Sequence, residues 1–157
     1  MKTQLTSKQI ESITGLKANT LHYYVQAGAV TPDIDGGDGR GTRRLFSGTN
    51  LVEVVIINRL IEMGVAKQRI LECLKGIREA GDREKLAPEK IQHPFSGFLV
   101  FAWDGSGQIK HKFIGYADRE KALSELWKSG ICSIVVNLNA IFAEYVVRGR
   151  ELLFRVE

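Results

Sequence analysis

Apolar residues recur at helical spacing along the first part of the chain, in short runs punctuated by glycine. Thr6 followed three residues later by Gln9 predicts a capping box, with Leu5 and Ile10 as the flanking hydrophobic staple. Ile10 and Ile13 then face inward, and Gly15 supplies a left-handed stop. The turn at 15–18 is so short that a second helix starts almost at once. It carries Asn19-Thr20-Leu21-His22-Tyr23-Tyr24 and ends at Gly28, so the two helices predict a helix-turn-helix unit. Leu21 and one of the two tyrosines are expected in the core, because some residue has to anchor the second helix against Ile10 and Ile13.

Residues 30–32 must be extended, since a residue before proline is pushed out of the helical region. Residues 33–41 hold four glycines in nine positions, which reads as a loop tip, and 42–46 reads as a return strand. Ser47 with Asn50 opens a third helix in which Leu51, Val54, Val55, Asn58, Leu60 and Ile61 alternate between core and solvent until Gly64. Ile70, Leu71, Leu74 and Ile77 form one stripe of a fourth, which ends near Gly81. Residues 82–94 are polar, charged and bracketed by Pro88 and Pro94, and are expected to be a linker with at most a helical turn.

The period then changes to two. Residues 98–103 read as a buried strand, 104–107 as a hairpin turn, and 108–116 as the partner strand with Ile109, His111 and Phe113 on one side. Asp118 is expected to cap a helix with Ala122, Leu123, Leu126 and Trp127 on one stripe, closed by Gly130. Residues 131–136 return as a third strand. Leu138, Ile141, Phe142, Tyr145 and Val146 resume a helical period that runs on to Leu152, Leu153 and Val156, either as one long helix or as a helix of about 139–148 and a short strand. The fold class is α+β: a mainly α winged helix-turn-helix over 1–81, a linker over 82–94, and a small β-β-α-β domain with a C-terminal helix over 95–157.

Composition narrows the chemistry. The chain has 157 residues, 44% of them apolar, and a formal charge of +4. That charge is spread thinly: residues 1–47 carry six basic and four acidic side chains, 48–90 eight and seven, and 91–157 eight and seven. A strongly positive surface must therefore come from arrangement, as in the cluster Arg40, Arg43, Arg44. Cys73 and Cys132 are far apart with no nearby CxxC, so neither a disulfide framework nor a zinc site is indicated, and both are expected to be small buried hydrophobes. The N-terminus lacks an apolar h-region and the apolar runs are too short to span a bilayer, which predicts a soluble cytoplasmic protein. No nucleophile elbow, Walker loop, HExxH or acid/base pair appears, and His93 and His111 are isolated in sequence. An enzyme is not expected, nor a metal or other cofactor.

The order of elements resembles the winged helix-turn-helix of the MerR family of transcription regulators over residues 6–77. The motif stands here as Thr20-Leu21-His22-Tyr23-Tyr24, then Gly28-Ala29-Val30-Thr31-Pro32, then Arg43-Arg44-Leu45-Phe46 as the wing, then the helix pair. His22 stands where the family usually has arginine, and Val25 where it often has an acid. Replacing a bidentate guanidinium by an imidazole gives up a strong phosphate contact. The resemblance implies double-stranded DNA as partner, a homodimer on a pseudo-palindromic promoter site, and engagement of RNA polymerase. It leaves any small-molecule effector unidentified. An excisionase-like architectural protein and a protein-interaction module on the same scaffold are the alternatives.

A helix offering hydrogen-bonding side chains beside a loop offering guanidinium groups is suited to a duplex, with base edges read in a groove and phosphates held at its rim. The candidate DNA contacts are Lys17, Asn19, Thr20, His22, Tyr23, Tyr24, Arg40, Arg43 and Arg44. The last apolar stripe, Leu138, Ile141, Phe142, Tyr145 and Val146, has no evident cover in the sequence and is expected to form a dimer interface. Trp103, Tyr116 and Trp127 are the candidates for an effector pocket.

Overall fold

The computed structural model describes residues 4–33, 44–91, 97–103, 105–128, 132–146 and 148–149. The head is built from α1 (Ser7–Thr14), α2 (Ala18–Gln26), α3 (Gly48–Glu62) and α4 (Lys67–Glu79). The predicted capping box forms at α1, where Thr6 and Gln9 satisfy each other's backbone, and Ser47 and Asn50, expected to open α3, make a second one there. Gly15 closes α1 in the left-handed conformation, at φ 76°. The chain comes back to this start when Leu5 and Phe46 exchange backbone hydrogen bonds of 2.9 and 2.8 Å, a single β-bridge that brings the end of the 34–46 segment down beside α1.

The second half is a three-stranded antiparallel sheet of β1 (Phe98–Trp103), β2 (Ile109–Ile114) and β3 (Cys132–Asn137), in the order β2-β1-β3. Phe101 stands opposite both His111 and Ile134, and Leu99 opposite Phe113 and Val136. Alternation puts these on one face, and that face packs into the core of the head. The other face gives Val100 and Ile114 to a small cluster with Ala122 of α6 (Arg119–Lys128), which follows the 3-10 turn Tyr116–Asp118 directly. After β3, Asn137 caps α7 (Leu138–Ile141), which loosens into a π turn over Phe142–Val146.

Two expectations are corrected by this packing. The segment expected as a linker is folded over 83–91, as a 3-10 turn (Arg83–Leu86) and the single turn α5 (Pro88–Ile91). Leu86 and Ile91 are fully buried in the common core, so a stretch that looks polar in sequence contributes its few apolar side chains to packing. The stripe expected to face a second chain is covered within this one. Leu138, Ile141 and Tyr145 are buried, and Phe142 packs half-buried against the same core; the side chain of Val146 lies outside the described residues. Arg59 of α3 fixes the stripe, donating to the Tyr145 hydroxyl at 2.6 Å and to Glu144 at 3.0 Å. Helix α3 can serve both halves because it has almost no solvent face. Every residue from Asn50 to Ile57 is buried, where alternation between core and solvent was expected.

The cysteines separate. Cys73 is buried in α4, but Cys132 is exposed as the first residue of the edge strand β3, contrary to the burial expected of it. Burial pushes the Cys73 thiol up to about 12, so little thiolate forms there near neutrality and access is blocked. One thiol per chain should react with a disulfide reagent at pH 8 under native conditions, and the second only after denaturant is added. Cys132→Ser should abolish the native reaction. Two thiols reacting at equal rates in the folded protein would contradict the packing of α4.

Candidate nucleic-acid interface

Helix α2 starts without a side-chain cap; the Ala18 N–H instead donates to Glu11 at 3.2 Å, which holds the second helix against the first. Leu21 and Tyr24 face inward at an i, i+3 spacing and are fully buried. This decides between the two tyrosines. Tyr24 is the anchor and is removed from the set of surface contacts, whereas Tyr23 is exposed and meets the Tyr24 ring edge-on at 5.2 Å. Lys17, Asn19 and His22 are exposed with Tyr23, and Thr20 is half-buried. The outward face of α2 is thus polar and aromatic.

Two cations flank it. The Arg44 guanidinium lies 3.2 Å from Nδ1 of His22, and since arginine can only donate, Nδ1 must carry a lone pair there. In that tautomer His22 accepts from Arg44 and holds the guanidinium beside α2. On the other side, the ammonium of Lys67, the first residue of α4, sits 5.5 Å from the centre of the Tyr23 ring. Lys67 was not among the residues singled out from sequence, because nothing in the sequence says that the start of α4 comes back beside α2. Arg40 and Arg43 lie outside the described residues.

Behind this face is a polar cluster that sequence reading also missed. Glu53, in the middle of α3, is 2% exposed. It accepts from Asn50 at 2.9 Å, from Arg83 at 2.7 Å and from Arg78 at 3.4 Å. Arg78 spends its other donors on the chain leaving α2, at 2.7 Å to the Gly28 carbonyl, 3.1 Å to that of Ala29 and 2.8 Å to the Thr31 hydroxyl. Arg83 reaches Asp33 at 2.9 Å. Asp33 and Ser47, which bracket the 34–46 segment, are hydrogen-bonded to each other, and Asn50 accepts from the backbone N–H of both, at 3.1 and 3.0 Å. The loop that follows α2 is thereby pinned at both ends to the first turn of α3. Burial alone would raise the Asp33 carboxyl; hydrogen bonds from Arg83 and Ser47 and the charges of Arg83 and Arg78 outweigh it and hold it below the usual value. Arg83 is correspondingly held more firmly protonated, although its own burial opposes this. The cluster's one sequence signal is Glu53 itself, a lone charge in the run Leu-Val-Glu-Val-Val-Ile-Ile, which has to meet a cation if the helix is buried.

Of the residues suggested for an effector pocket, Trp103 is half-buried and packs against the common core, and the side chains of Tyr116 and Trp127 lie outside the described residues. His111, isolated in sequence, is not isolated in space: its Nε2 is 3.0 Å from Asp82. Among the described residues no helix is long and apolar enough to cross a membrane.

Residues 5–77 match the family described as MerR HTH family regulatory protein. Similar proteins include uncharacterized HTH-type transcriptional regulators of Mycobacterium bovis and Mycobacterium tuberculosis, each 28% identical over 69 residues, covering 44% of this chain and 31% of the relative. The chain thus matches less than a third of the length of these relatives.

The polar cluster predicts a specific stability profile. Arg83→Ala leaves Glu53 with a weaker partner and Asp33 with none of its closest charge, and should destabilise by about 3 kcal/mol in urea unfolding at pH 7, as expected for a broken buried pair. Asp33 has a folded value below its unfolded one. Its contribution is therefore present above the ordinary carboxylate value of about 4 and is lost as pH falls through the depressed one. Asp33→Asn should flatten the acid limb of stability against pH. An acid limb identical to that of the unsubstituted chain would show that the Asp33 contacts contribute nothing.

Proposed function

Because residues 5–77 match the MerR HTH family of regulatory proteins, we propose that this chain is a DNA-binding transcription regulator. The exposed face of α2 meets base edges in a groove, and Arg44, with the residues that precede it, meets phosphates. The observation that carries this reading is the 3.2 Å contact between Arg44 and His22, which sets a guanidinium beside the polar face of α2, with Lys67 across Tyr23 on the other side. Asn19 suits an adenine edge or a phosphate, and the Tyr23 hydroxyl a phosphate. The imidazole that replaces the family's usual arginine is no longer a phosphate ligand in this reading but the group that orients one.

The resemblance further suggests a homodimer on a pseudo-palindromic promoter site, engaged by RNA polymerase. A two-fold pair would present two α2 helices to successive turns of one duplex face. Within one chain Leu138, Ile141 and Tyr145 already pack into the common core, which favours a pairing surface on other parts of the chain.

Binding should be salt-dependent in a way that sorts the residues. Arg44→Ala should weaken preferred and random duplex alike and reduce the slope of log K against log salt by about one. Asn19→Ala should cost about 1–3 kcal/mol on the preferred site and less on random sequence if it reads a base. His22→Ala should act through Arg44, so that the double substitution costs little more than Arg44→Ala alone. A salt slope unmoved by Arg44→Ala would place the phosphate contact elsewhere.

A further inference from the structure

Two adjacent residues just past the family-matched segment point to opposite halves of the molecule. Arg83 reaches into the head, where it holds Glu53 at 2.7 Å and Asp33 at 2.9 Å. Asp82 turns the other way and meets His111 of β2 at 3.0 Å and Lys85 at 2.6 Å. The pair is set by the end of α4: Gly81 takes a φ of 73°, and the Asp82 N–H donates to the Ile77 carbonyl at 3.0 Å. A rigid turn with one side chain in each half has little freedom to move one contact without the other. The sheet is fastened to α4 at a second point, where Arg69 donates to the Gly107 carbonyl of the hairpin turn at 2.7 Å.

We propose that Arg83 is a positioning residue for the loop that follows α2, and that its placement depends on the seating of the C-terminal sheet through Asp82 and His111. Whatever loosens β2 from α4 then loosens Asp33, and with it the clamp between Asp33, Ser47 and Asn50 from which Arg44 is presented. The relevance of this to DNA rests on the reading given above; the coupling itself does not. It is a physical claim about one turn whose two ends are fixed by different halves of the chain, and coupling of that kind is measurable as non-additivity.

The test uses the full chain and reads amide hydrogen exchange at Asp33, whose N–H donates to Asn50, and at Phe46, whose N–H donates to Leu5. Neither of these two hydrogen bonds involves His111. His111→Ala should speed exchange at both amides by roughly threefold to thirtyfold, while Ile56 in the middle of α3 stays protected. Asp82→Ala should do the same. Asp82→Asn keeps an acceptor for His111 and should recover part of the protection. In a cycle with Arg83→Lys, which preserves the charge and is milder than Arg83→Ala, the two effects should fall short of additive. DNA affinity, measured in parallel, should drop with the exchange change. The proposal is overturned if His111→Ala frees β2 amides but leaves Asp33 and Phe46 unchanged, or if the effects add fully. If exchange responds as expected but the unsubstituted chain binds no duplex at any salt, the positioning stands and the DNA reading falls.

Discussion

A carboxylate in the middle of an apolar helix constrains everything around it. Glu53 is as buried as the valines beside it, and an ion removed from water to that extent is tolerated only when charge and hydrogen bonds replace its hydration. The replacement comes from three directions: Asn50 one turn back on the same helix, Arg78 on α4, and Arg83 beyond it. Each partner has a second task. Asn50 closes the N-terminal turn of α3 and takes the Asp33 amide, Arg78 gathers the carbonyls that follow α2, and Arg83 holds the Asp33 carboxylate. The geometry of the chain between α2 and α3 is thus tied to the need to satisfy one buried charge. Such a pair is not a large net source of stability, since desolvation offsets most of the attraction. What it enforces is position, because moving any partner away leaves the carboxylate exposed to a low-dielectric surrounding.

Helix α3 is also where the halves of the molecule join. An amphipathic α3 would have left the sheet to find its own cover; a helix apolar around most of its circumference accepts the head on one side and the terminal segment on the other. Close approach is allowed where side chains are small. A Cβ at Gly149 would stand 3.2 Å from Leu51 and 3.4 Å from Ile13, and one at Gly48 only 2.7 Å from Pro88. Gly48 is therefore the more demanding of the two, with the ring of Pro88 seated against the first turn of α3. The sheet is thus not a separate module hung on a tether but part of the wall against which the head is packed.

Much of this was legible in sequence wherever the cause is local. The capping box at Thr6, the helix start at Ser47, the left-handed stop at Gly15 and the strand 98–103 all rest on interactions within a few residues, and each appears as predicted. The choice of Tyr24 over Tyr23 as anchor follows once Leu21 fixes the helix face. What could not be read is where distant segments meet. The stripe of Leu138, Ile141 and Tyr145 is indeed an apolar surface, but periodicity gives a face and not its partner, so cover by α3 and cover by a second chain look alike. The segment around Leu86 and Ile91 has too few apolar residues to stand out from a linker. Cys132 has the apolar neighbours of a buried strand residue and is exposed because β3 lies at the sheet's edge, a matter of strand order. Arg78, Arg83 and Lys67 likewise look like ordinary surface cations until the fold brings them to Glu53, Asp33 and Tyr23.

The same distinction separates the parts of the candidate interface. The polar face of α2 is local chemistry, fixed by helical period and by two inward anchors. The direction in which Arg44 points is not local: it depends on His22 at one end and, through Ser47 and Asp33, on Arg83 at the other. A family resemblance confined to residues 5–77 contains α2 and Arg44 but omits both Arg78 and Arg83. In this chain the last residue needed to hold the loop's base in place is contributed by the segment that leads into the sheet. The head's geometry is therefore completed from outside the matched segment, and a fragment cut at residue 77 would remove both cations that meet Glu53, Arg78 and Arg83, together with the part of the core contributed by Leu86, Ile91 and the sheet.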